Sequence, residues 1–194
     1  MSYLKKIGAL FVSSALMASM LAGCGSSFAS TGDSGSQAEG GDGNYNISIV
    51  FKTTSNEYTQ YMMAGAEKAA AETGAVLDMK GATSETAYDE QQNMIETDMS
   101  NADIDGYVIA PLQADMVANM IAGQTKPIVA VDTDIDAPEV LSFVGTGNEA
   151  AGKLGGEAAA NLAKERGWTE IKCIEIAGVQ GDSTNTARMN GYAA

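Results

Sequence analysis

From residue 46 onward, short and largely apolar runs alternate with amphipathic stretches. The runs are Ile47–Lys52, Ala75–Lys80, Gly106–Ala110, Pro127–Asp132 and Val140–Gly145. Nearly continuous apolar runs of this length predict strands covered on both faces. Helical spacing fills the gaps. The first helix spans Glu57–Thr73 and stops at Gly74. The second starts near Thr86, with Asp89 three residues on as a capping box, and carries Tyr88, Ile95 and Met99 on its inner face. The third sets Met116, Val117, Met120 and Ile121 on one face and stops at Gly123. The fourth runs from Asn148 to Arg166 and stops at Gly167. A glycine just past a helix end is the usual stop signal. Repeated βα units imply right-handed crossovers and a parallel sheet. The expected class is α/β: a Rossmann-like parallel-sheet lobe with helices on both faces over residues 46–147. The start of a second, similar lobe follows over 148–194, with one more strand near Ile171–Ile176. Methionines at helical spacing read as core filler.

The first 45 residues lack this alternation. Lys5 and Lys6 precede a short apolar stretch, Ile7 to Met20, so residues 1–23 read as an export signal rather than a membrane span. It ends in Leu21-Ala-Gly-Cys24, which resembles the bacterial lipoprotein lipobox. That resemblance implies cleavage before Cys24 and a diacylglycerol on its sulfur, so the expected location is the cell membrane, lipid-anchored and facing out of the cytoplasm. Residues 24–45 are rich in Gly, Ser and Asp and cannot bury enough surface to fold. As a flexible linker they reach on the order of 25 Å from the anchor. With Cys24 lipidated, Cys173 has no disulfide partner. Cys173 lies in the apolar run Ile171–Ile176, where a buried structural thiol is expected.

Charge narrows the function classes. The chain has 11 basic and 25 acidic residues, and removing the signal leaves a net charge of −16. An acidic body argues against nucleic acid and against docking onto anionic lipid, and reads as a solvated surface. The chain has no histidine, which excludes His-based triads, His-ligated zinc and imidazole acid–base chemistry.

The candidate chemistry sits where strands end. Loops at the C-terminal ends of parallel strands open a crevice. Asn56 and Tyr58 follow the first strand, Pro111 and Gln113 the third, and Asp132 ends the fourth. A carboxylate accepts hydrogen bonds from neighbouring hydroxyls, and an aromatic face covers the apolar side of a sugar ring. Asp132 also reads as a turn residue, and Tyr58 as a helix N-terminal residue packing locally. Gly145-Thr-Gly-Asn-Glu-Ala150 matches a dinucleotide fingerprint, but it follows the fifth strand and has no acid about 20 residues later at a strand end. Two Asp-rich stretches, starting at Asn101 and Asp132, begin like calcium loops and have no glutamate at the twelfth position. No metal and no cofactor are expected. Trp168 and Arg188 read as packing and helix-anchoring residues.

Several motifs together resemble the type I periplasmic binding proteins of the ribose-binding kind, in sequence order. They are Ile47-Ser-Ile-Val-Phe, Ser-Asn56-Glu-Tyr58, Gly65-Ala-Glu, Asp105-Gly-Tyr-Val-Ile-Ala-Pro111, Pro127-Ile-Val-Ala-Val-Asp132, Gly145-Thr-Gly-Asn148 through Gly156, and Ala187-Arg-Met-Asn-Gly-Tyr192. The resemblance implies two lobes closing on one ligand, a sugar or polyol, and delivery to an ABC transporter permease by a monomer without catalysis. It implies first-lobe ligand contacts at Asn56, Tyr58 and Asp132, with Thr133 beside them, and a second-lobe contact at Asn185 or Thr186. The sequence departs from that pattern at Thr59, Thr133, Gly147 and Thr186, which puts ribose itself in doubt. Members run well beyond Ala194, so a fragment holding half a site is expected. A chemosensory or signal receptor on the same fold is the alternative. A Rossmann-type enzyme is weighed against the missing histidine and the lack of a nucleophile paired with a base.

Overall fold

The structure, a computed structural model, describes residues 44–194. The expected export signal, Cys24 and the expected linker through residue 43 lie outside the described residues. Among the described residues, no helix is long and apolar enough to cross a membrane.

Five strands form one sheet: β1 (Asn46–Thr53), β2 (Val76–Ala82), β3 (Gly106–Ile109), β4 (Ile128–Val131) and β5 (Val140–Val144). Their order is β2-β1-β3-β4-β5, and every neighbouring pair is parallel. The chain winds outward from β1 to β2 and then returns past β1 to β3. Right-handed crossovers therefore put α1 (Glu57–Thr73) on one face and α2 (Tyr88–Met99) and α3 (Ala114–Met120) on the other. The reversal between β1 and β3 is the switch point at which a crevice opens beyond the strand ends.

Burial follows from this layering. Val50, Tyr107, Ile109, Ile128 and Ala130 meet Ile95 of α2 and the Val117–Ile121 turn of α3 in one cluster. Ile49 and Phe51, alternating with Val50, are also buried, as strands covered on both faces require. Met94, Met99, Met116 and Met120 pack around the cluster, in the filler role expected of them.

Two buried polar residues tie helix α2 to the sheet. Gln91, fully buried, donates its amide to the carbonyls of Phe51 at 3.1 Å and Ala110 at 3.0 Å. It accepts the Leu112 N–H at 2.7 Å. One side chain thus bonds three backbone groups where β1 and β3 end. At the other end of the helix, Asp98 accepts the Ser48 hydroxyl at 2.5 Å and the Lys80 ammonium at 2.6 Å.

The helix ends show local chemistry. Gly74 closes α1 at φ 78°, its N–H bonding to Ala70 O, a left-handed cap that glycine adopts without a Cβ penalty. The capping box expected at Thr86 and Asp89 does not form. Helix α2 opens at Tyr88 with Ala87 at its cap and no side-chain bond there. The Thr86 hydroxyl pairs instead with Ser84, so it is unavailable to the helix. Glu90 takes the loop, accepting the Thr83 N–H at 2.9 Å and the Thr83 hydroxyl at 2.7 Å. Those bonds, the backbone one first, hold its carboxyl below the ordinary glutamate value.

Beyond β5, α4 (Asn148–Glu165) packs on α5 (Ser183–Ala193). Their backbones touch at glycines: a Cβ on Gly152 would collide with the Arg188 carbonyl, and one on Gly191 with the Glu149 carbonyl. The strand expected at Ile171–Ile176 is not formed. The segment forms neither helix nor strand, and no neighbour among the described residues supplies the ladder that a strand needs. Cys173 is accordingly exposed rather than buried, and Ile174 and Ile176 are more than nine-tenths exposed.

Candidate functional site

The loops after β1, β4 and β5 and the start of α5 surround a cavity of about 490 Å³. This lies within the range of small-molecule sites. Asn56, Tyr58, Asp132 and Asn185 line it together, as do Lys52, Asp182 and Arg188.

Asn56 is the N-cap of α1. Its Oδ1 accepts the Thr59 N–H at 2.7 Å, and its Nδ2 donates to the Thr53 hydroxyl at 3.2 Å. That leaves one amide N–H for a ligand. The cap also locks the side chain in place at the mouth of the cavity.

Asp132 closes β4 in a left-handed conformation, φ 65°, the one such non-glycine among the described residues. Its N–H still bonds to Val144 O at 3.0 Å. Aspartate tolerates this region better than most residues, and such outliers gather at functional sites. The turn directs its carboxylate to the Lys52 ammonium at 3.3 Å. Thr133, the next residue, is buried and its hydroxyl lies 3.4 Å from the same carboxylate. It supports Asp132 from behind and does not line the cavity.

Tyr58 stands at the rim, more than half exposed. Its phenol is pushed above the ordinary value by burial and then by the nearby charge of Asp132, with Arg188 and Lys52 opposing. Because the residue is more than half exposed, solvent screens the charge effects on it. Trp168 is remote from the cavity lining; Arg166 sits over its ring at 5.8 Å.

The far wall comes from α5. Asp182 caps that helix, accepting the Asn185 N–H at 2.7 Å and the Thr184 hydroxyl. Its other oxygen meets Lys52 at 2.7 Å. Burial raises the Asp182 carboxyl, but the bonds from Lys52, Thr184 and Asn185 outweigh it and leave the group below its ordinary value. Asn185 accepts the Gly178 N–H at 2.7 Å. Thr186 is exposed and bonds back to Asp182 O at 3.0 Å, outside the cavity lining.

The structure thus gathers Asn56, Tyr58, Asp132 and Asn185 and sets Thr133 and Thr186 aside. Sequence reasoning passed over Lys52, Asp182 and Arg188. Lys52 carried a signal: a charge at the C-terminal end of an apolar strand, matching the position of Asp132. Asp182 had the spacing of an N-cap before Ser-Thr-Asn. Arg188, expected to anchor its helix, has no ion pair among the described residues and faces the cavity instead.

Donors and acceptors dominate this lining, and its one aromatic ring stands at the mouth. Such a surface can bind a molecule bearing several hydroxyls.

Known proteins agree with this architecture. Residues 47–194 match the periplasmic binding protein domain. The chain is 28% identical over 149 residues to the ribose import binding protein RbsB of Salmonella typhimurium, covering 75% of this chain and 48% of that protein. A solved carbohydrate transporter solute binding protein from Agrobacterium radiobacter, in complex with D-arabinose, is 25% identical with a TM-score of 0.71. That match covers 77% of this chain and 52% of the other. An ABC transporter solute binding protein from Agrobacterium vitis with bound D-fucose shares the fold at 24% identity and a TM-score of 0.67, covering 76% and 52%. The chain spans about half the length of the proteins it matches. The parallel sheet, the crevice at its switch point and the match over residues 47–194 make this chain a member of the periplasmic binding protein family.

Proposed function

We propose that this chain is the ligand-gripping part of an extracytoplasmic binding protein for a sugar or related polyol, delivering it to an ABC transporter permease. Residues 46–147 act as the first ligand-binding lobe and 148–194 as part of a second. The lipobox at Cys24 supports a lipid anchor outside the cytoplasm. Recognition proceeds by hydrogen bonding and ring contact, without catalysis.

The observation that carries this reading is the convergence of Asn56, Tyr58, Asp132 and Asn185 on one polar cavity. Asp132 accepts sugar hydroxyls, Asn56 donates its free N–H, and the Tyr58 ring covers the apolar side of the pyranose or furanose. Sugars bound by relatives support the ligand class: D-arabinose in one solved relative, and ribose in the name of another.

The test is calorimetric titration with D-arabinose, D-ribose and D-galactose, repeated with Asp132→Ala. Binding of at least one sugar, weakened roughly tenfold or more by the substitution, is expected. Unchanged affinity in the variant removes Asp132 from the site, and silence toward every sugar removes the reading.

A further inference from the structure

Lys52 is the charge that the cavity is built around. Five charged side chains line the cavity: Lys52, Arg188, Glu85, Asp132 and Asp182. Three acids against two bases leave it close to neutral. The two cations differ in setting, because the Lys52 side chain is only 12% exposed whereas Arg188 is exposed where it lines the cavity. The Lys52 ammonium is clamped between carboxylates from opposite walls, Asp182 at 2.7 Å and Asp132 at 3.3 Å. An ammonium has three N–H donors. The Asp182 carboxylate accepts one of them, Asp132 stands within ion-pair range, and donor capacity remains for a ligand.

This arrangement has consequences for ligand charge. A cationic ligand entering the cavity competes with Lys52 for the same two carboxylates and meets its ammonium as a like charge. An anionic ligand meets Asp132 and Asp182 as like charges in a partly desolvated site, where repulsion is stronger than in water. An uncharged polyol pays neither cost. Its hydroxyls donate to carboxylate lone pairs that Lys52 leaves free, and accept an ammonium N–H that Asp182 leaves free.

We infer that Lys52 is a specificity-determining residue of this cavity: as the shared counterion of Asp132 and Asp182, it makes the site prefer uncharged polyhydroxy ligands over amino and acidic ones. The inference rests on the ligand-binding reading above and deepens it. Removing the ammonium leaves two partly buried carboxylates without their cation, and a ligand amine then becomes the natural replacement.

The experiment uses the full chain and three probes on one ring scaffold: D-galactose, D-galactosamine and D-galacturonate. Wild type, Lys52→Arg and Lys52→Met are titrated with each, and folding is checked by circular dichroism. Wild type and Lys52→Arg should favour D-galactose. Lys52→Met should lose roughly tenfold or more for D-galactose, and its preference should move to D-galactosamine. A purely structural role for Lys52 would weaken all three probes together without reversing their order. An unchanged order in a folded Lys52→Met overturns the inference, as does a wild type that favours a charged probe; in both cases the ligand-binding reading survives. Silence toward all three probes, with Asp132→Ala equally silent, counts against that reading and takes this inference with it. If Lys52→Met does not fold, Lys52→Gln replaces it with the same expected reversal.

Discussion

Lys52 Nζ lies 2.7 Å from the carboxylate of Asp182, 130 positions further along the chain. The pair joins the end of β1 to the cap of α5. It therefore connects the sheet to the helix pair that follows it. Because Asp182 is held below its ordinary value of 3.8, its contribution to stability is complete above that value. It is lost as pH falls through the lower value of the folded state. Asp182→Asn should remove this part of the acid limb and cost about 1 kcal/mol at neutral pH. Urea unfolding between pH 6 and the acid limb checks it. An acid limb of the same shape in the variant would mean that the pair is not formed.

The influence of Asp132 on Tyr58 is separately measurable. The Tyr58 phenol should titrate above 10.0, and Asp132→Asn should lower that value. Asparagine also tolerates the left-handed backbone at this position, so the fold should persist. Tyr107, raised by burial and Asp98 rather than by Asp132, is the internal control and should not move. NMR of the tyrosine ring carbons between pH 8 and 12 separates the two. A Tyr58 curve indifferent to the substitution would show that the residues do not face each other.

Gln91 should matter beyond its size. Gln91→Leu keeps much of the volume but abandons the carbonyls of Phe51 and Ala110 and the N–H of Leu112. Buried groups without partners cost about 1–3 kcal/mol each, so a loss of about 3 kcal/mol or more is expected in urea denaturation. A loss below about 1 kcal/mol would mean that these groups find other partners.

Glycines should divide by their surroundings. Gly191→Ala places a methyl against the Glu149 carbonyl, forcing α4 and α5 apart at a cost of about 2 kcal/mol. Gly65→Ala, with nothing within 4 Å of the new atom, should instead stabilise α1 by about 0.5–1 kcal/mol. Thermal denaturation gives both signs, and a harmless Gly191→Ala would contradict the close helix crossing.

Much of the sheet is legible from the chain because its central strands β1, β3 and β4 carry nearly continuous apolar runs ended by loops. Val50, Ile109 and Ile128 need no tertiary information to be read as core. The glycine stop of α1 at Gly74 is equally local. What sequence reading missed is what depends on distant partners. Ile171–Ile176 looks like a strand, yet pairing is a property of neighbours, and none of the described residues provides one. Cys173 is exposed for that reason. Thr86 has the residue type of a cap, but Ser84 competes for its hydroxyl. The site divides along the same line. Asn56, Tyr58 and Asp132 were read from their places at strand ends and do line the cavity, whereas the Lys52–Asp182 pair exists only once the start of α5 meets the end of β1.

The central claim is that the cavity at the C-terminal edge of the sheet is where a sugar-like solute binds. The most direct measurement is backbone amide shift mapping of the chain during titration with D-arabinose into the millimolar range. The account predicts perturbations concentrated at Lys52–Tyr58, Asp132–Thr133 and Asp182–Asn185. Perturbations centred instead on the opposite edge, at Asn46, Asp103 and Asp105, would contradict it.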